Sequence, residues 1–134
     1  MDYEGPYFER SDGARRRFAE AETDTGWMLG TSVNPGLVVS SPKIAFRVKG
    51  GVFSARGHWS LASGGSYGNS GWAEICTVPA AIVSLIPSDT ALLYLPFMAD
   101  VTGALAVDKA TGKLRFWPTN NFSGPIRIIR TMLG

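Results

Sequence analysis

The sequence predicts an all-β protein: an antiparallel β-sandwich or jelly roll of about eight strands behind a short helical or irregular leader. Three observations carry this. Sixteen glycines and eight prolines among 134 residues, with frequent Val, Ile, Phe and Trp, favour short strands and tight turns. Two stretches, Pro42 to Leu61 and Ala104 to Trp117, each sort their apolar residues onto one side when folded as ribbons. A chain of this length, as one domain, buries about two-thirds of its unfolded surface. The expected division is a leader over residues 1–25 and a head over residues 26–134.

The leader differs in charge. Seven of the eleven acids precede Thr25 beside four arginines, giving −3, and the rest of the chain carries +5. Ser11 is placed to cap a short helix through Ala14–Glu20, whose apolar face is only Ala14, Phe18 and Ala21. The leader therefore reads as a connector to a stalk or a neighbouring chain. The basic excess of the remainder is small and scattered, so no nucleic-acid partner is expected.

Gly26–Gly30 opens the β region, and Val33–Ser40 follows with Asn34-Pro35-Gly36 as a turn. In Pro42–Leu61, glycines tolerate positive φ at both central positions of a Gly50-Gly51 turn. Val48 then faces Phe53, Phe46 faces Ala55, Ile44 faces Gly57 and Pro42 faces Trp59, all on one side. The other side carries Lys43, Ala45, Arg47 and Lys49 against Val52, Ser54, Arg56 and His58. This is a hairpin with one face on a core and one face wet.

Ala62–Gly71 is a Gly/Ser loop with no core of its own. Trp72–Val78 is a strand with Ala73, Ile75 and Thr77 on one face, and Pro79 and Pro87 frame a short apolar connection. Ala91–Met98 is apolar on both faces and interrupted by Pro96, which argues for an edge or a bulge. The second hairpin closes at Asp108 and Lys113, pairing Val107 with Leu114, Leu105 with Phe116, Ala106 with Arg115 and Ala104 with Trp117. After the loop Pro118–Gly124, the strand Pro125–Leu133 slips phase between Ile128 and Ile129, as at a β-bulge.

The chemistry expected is recognition rather than catalysis. No apolar run approaches the ~20 residues of a membrane helix, the longest being Val78–Ile86, so no membrane insertion is expected. Met1 is followed by acidic and aromatic residues, not by a basic start and an apolar block, so no secretion signal is expected either. Cys76 is the one cysteine, which excludes an internal disulfide and a cysteine-rich zinc site and reads as a buried structural thiol. His58, placed opposite Lys43 with no second histidine or acid cluster, reads as a surface histidine. No metal or cofactor is expected. Glu74 and Asp108 are the one carboxylate pair suggesting a glycosidase, but Asp108 is needed to close a hairpin. There is no phosphate loop before a helix and no nucleophile elbow. Lys43, Arg47, Lys49 and Arg56 share a face near Trp59 and Tyr67, an arrangement single-strand binders use, yet the register puts Trp59 on the opposite side.

Loops offer more. Isolated rings among Gly, Ser and Asn are the composition of adaptable binding surfaces. Rings stack on sugar C–H faces while amides bond to hydroxyls. The candidate saccharide contacts are Ser66, Tyr67, Asn69 and Trp72 in one loop and Trp117, Asn120 and Asn121 in the other.

The order of features resembles the C-terminal receptor-binding head (tip) domain of bacteriophage tail-fibre and baseplate proteins. The parallel runs from Gly26-Trp27 through FRVKGGVFSARGHW, Thr77-Val78-Pro79-Ala80 and Ile86-Pro87-Ser88 to ALAVDKATGKLRFW and the closing strand. Ala80-Ala81 stands where such domains often carry glycine. The resemblance implies a non-enzymatic host-recognition head at the virion's tail tip, made in the host cytoplasm. It further implies a homotrimer that binds a bacterial cell-surface glycan and contacts other tail or baseplate proteins. The apolar strand Ala91–Met98 suits a face covered by a partner subunit. A structural collar, baseplate or decoration module is the alternative, and a glycan hydrolase a more distant one.

Overall fold

A computed structural model describes residues 24–62, 65–67, 71–129 and 131–133, the last three as backbone only. The expected leader helix at Ala14–Glu20 lies outside the described residues. The fold is all-β, with every strand pair antiparallel.

The first hairpin sets the pattern. β3 (Ala45–Lys49) and β4 (Val52–Arg56) pair in the expected register, Val48 with Phe53 and Phe46 with Ala55. Gly50 and Gly51 both have positive φ, 59° and 78°, where a Cβ is strained. Phe46, Val48, Phe53 and Ala55 are fully buried, so the apolar side faces the core as expected. The opposite side is less wet than its charge implies. Ala45 is buried, Arg56 lies 4.2 Å over the Trp27 ring, and Arg47 is held by Asp24. β1 (Met28–Leu29) adds to β3.

Beyond Arg56, Gly57 still lies against Ile44 as expected, but the expected pairs of His58 and Trp59 do not form. The chain turns a corner at Gly57, and β5 (His58–Leu61) enters another sheet. There Trp59 pairs with Val39 of β2 (Leu37–Val39) and with Ile126 of β11 (Ile126–Ile128), not with Pro42. His58 pairs with Arg127, not Lys43. A Cβ on Gly57 would sit 3.1–3.2 Å from Ile44 and Trp59, so glycine lets the corner close onto the core.

Two other expected strands split similarly. Ala91–Met98 becomes β7 (Leu92–Tyr94) and β8 (Phe97–Met98), each at the edge of its sheet, as Pro96 predicted. Pro125–Leu133 becomes β11 and β12 (Thr131–Leu133), in different sheets. The phase slip after Ile128 therefore marks a change of sheet rather than a bulge. The twelve strands of the described residues form three four-stranded sheets, ordered β1-β3-β4-β12, β2-β5-β11-β8, and β6-β10-β9-β7.

The third sheet contains β6 (Ala73–Thr77) and the second hairpin, β9 (Gly103–Asp108) with β10 (Lys113–Pro118). All the expected pairs from Asp108–Lys113 to Ala104–Trp117 are present. A register shift against β6 between Leu114 and Arg115 buries both Ile75 and Cys76, so β6 does not alternate simply. The Pro79–Pro87 connection contains one helical turn, α1 (Ala80–Val83), which buries Ile82. A single core runs between the sheets, with Trp59, Phe46, Phe53 and Phe116 as its largest fully buried side chains.

Candidate functional site at the loop end

The two loops expected to bind lie together. Tyr67 donates its backbone N–H to the Phe122 carbonyl at 2.9 Å. The two rings stack, with centroids 5.9 Å apart and planes 18° apart. The Thr119 N–H donates to the Thr102 carbonyl at 2.9 Å, and the two threonine hydroxyls are 2.7 Å apart. Segments 65–67, 99–102 and 118–124 are thus tied at one end of the sandwich.

The candidates occupy different positions there. Tyr67 is not offered to a ligand: it is 9% exposed, with its ring against Phe122 and edge-on to Phe116 at 5.2 Å. Its neighbours in a Gly/Ser loop hide this role in the sequence. Burial pushes its hydroxyl up to about 12, with the Trp59 indole opposing. Even so, neither the Tyr67 hydroxyl nor the Trp59 N–H reaches hydrogen-bonding geometry with any described partner. Ser66, Asn120 and Asn121 are exposed. Asn69 lies outside the described residues.

Trp72 and Trp117 meet, with ring centroids 5.8 Å apart and planes at 52°. Register explains the contact: Phe116 pairs with Ala73, so the residues one step beyond, Trp117 and Trp72, are cross-strand neighbours. Trp72 is half-buried, while Trp117 keeps 46% of its surface exposed. One residue pair along the same outer face, Arg115 lies 3.4 Å from Glu74 and 3.4 Å from Asp108. Lys113 also approaches Glu74, at 3.9 Å. The Asp108 carboxylate further accepts the Ala110 N–H inside the hairpin turn. Both acids of the suggested glycosidase pair are therefore engaged by Arg115.

Two open grooves border residues 99–102. One, of about 510 Å³, is lined by Asn120, Asn121 and Phe122 with residues 99–102. The other, of about 600 Å³, lies between that segment and His58, Met98, Pro125 and Arg127. The second was not foreseen, because its residues come from three distant parts of the chain. Cys76 is buried, and burial pushes its thiol up to about 12. No cluster of metal-ligating side chains occurs among the described residues. No helix there is long and apolar enough to cross a membrane.

Comparison with protein-family models, with curated proteins and with solved structures gives no match to this chain.

Proposed function

We propose that the chain is a non-enzymatic saccharide-recognition head, and that it serves at the tail tip of a bacteriophage or related particle. The observation that carries the saccharide part is the tie between segment 65–67 and the loop bearing Asn120 and Asn121, with the Trp72–Trp117 pair where these loops meet the sheet. There, the half-exposed Trp117 ring, braced by Trp72, supplies a stacking surface. Beside it on the sheet, the residue opposite Trp117 is the small Ala104. Asn120 and Asn121 supply amide donors and acceptors on the neighbouring groove.

The phage setting rests on the resemblance in feature order. Trimeric assembly draws support from the edge strands β7 and β8, where Tyr94 and Met98 are 57% and 61% exposed. Retention of the chain on bacterial cells, compared with Trp117→Ala, tests the reading. Binding that is lost in the variant, with the folded spectrum retained, is the expected result. Undiminished binding would remove this surface from the site. Light scattering tests the assembly, and a stable monomer at micromolar concentration would contradict it.

A further inference from the structure

The larger groove brings an arginine and an imidazole together on facing strands, and neither is ion-paired among the described residues. His58 of β5 and Arg127 of β11 are direct cross-strand partners, and Met98 of β8 is the next neighbour of Arg127 in the row. Cross-strand partners share a face, so the two side chains lie side by side. Among the described residues the other three arginines are engaged, while the exposed Lys43 and Lys49, like Arg127, have no ion pair. Arg47 has Asp24, Arg115 has Glu74 and Asp108, Lys109 donates to the Val83 carbonyl, and Arg56 stacks on Trp27. Arg127 and His58 have no ion pair or side-chain hydrogen bond among the described residues. The acid that lines the same groove, Asp100, pairs with neither. Met98 and Pro125 supply an apolar rim.

We propose that this groove is an anion-binding site, taking a carboxylate or phosphate group of a hydroxylated ligand between His58 and Arg127. The guanidinium suits two-point contact with either group. Imidazole adds a ring N–H from the facing strand. Asp100 and Thr102, across the groove, accept and donate to hydroxyls carried by the same ligand. The site borders the Asn120–Asn121 groove through residues 99–102 but is not lined by Trp117, and it does not depend on the saccharide reading.

The test is amide NMR of the full chain titrated with inorganic phosphate, glucuronate and glucose at constant ionic strength. Phosphate and glucuronate are expected to shift the amides of His58, Arg127 and Thr102 saturably, while glucose leaves them in place. Whichever anion binds more tightly identifies the source of the charge. Arg127→Gln weakens anion binding at least tenfold and His58→Gln about threefold, whereas Lys49→Gln, at an exposed cation of another sheet, leaves phosphate binding unchanged. Arg127→Lys, which keeps the charge but loses the two-point contact, binds at an intermediate level, and an Arg127→Gln amide spectrum unchanged away from the groove guards against a folding artefact. Non-saturating shifts spread over the surface, or equal phosphate binding by Arg127→Gln and the parent chain, would overturn the proposal.

Discussion

Tyr67 and Phe122 stack at 5.9 Å while the backbone N–H of one donates to the carbonyl of the other, so ring and main chain together join two loops 55 positions apart. The Tyr67 ring is an internal strut rather than a ligand contact. Tyr67→Ala should cost about 3 kcal/mol, as expected for truncating a buried ring. Tyr67→Phe should cost little, because the hydroxyl has no hydrogen-bond partner among the described residues. Urea denaturation of the two variants distinguishes these outcomes, and equal losses would mean that the hydroxyl is bonded.

The Gly50-Gly51 turn is the second point of test. Replacing both glycines by alanine forces two side chains into positive φ, which should cost about 2 kcal/mol. Gly71→Ala, where a Cβ meets nothing within 4 Å, serves as the control and should be near neutral. Chemical denaturation midpoints measured side by side decide it.

Alkali should weaken the fold through two buried groups. Burial raises Cys76 from 9.0 to about 12 and Tyr67 from 10.0 to about 12. Between about pH 9 and 12 the unfolded chain therefore loses protons that the folded chain keeps. Stability is full below that window and falls as pH rises through it. Melting temperature measured from pH 8 upward should decline, and Tyr67→Phe or Cys76→Ala should each flatten the decline. A flat parental profile would contradict the burial of these groups.

Asp24 behaves oppositely. Hydrogen bonds from the Arg47 side chain and the Gly26 backbone N–H hold its carboxyl down, from 3.8 to about 2. Its contribution is present above about pH 4 and is lost as pH falls toward 2. A carboxyl titration followed by NMR should show that midpoint, and Arg47→Gln should return it toward the ordinary aspartate range.

The hairpins were legible because their turns fix register, and a wrong register would have moved Phe46 or Leu105 to the outside. The corners were not. At Gly57 the inward alternation continues in phase from Ala55 through Trp59, so a strand that changes sheets looks identical to one that runs straight. At Ile128 the slip was visible, but a bulge and a change of sheet leave the same pattern. For the site, Trp72 and Trp117 could be singled out by composition, while their contact depended on pairing between β6 and β10. The inward turn of Tyr67 and the His58–Arg127 groove depend on strands far apart in sequence, which no local pattern reports.

The most direct measurement is an amide NMR titration of the chain with glycan preparations from bacterial cell surfaces. Recognition by the tied loops predicts shifts concentrated at Trp72, Trp117, Asn120 and Asn121, and lost in Trp117→Ala. Shifts centred instead on the exposed Leu29, Val38 and Val39, or no saturable shifts with any such preparation, would contradict it.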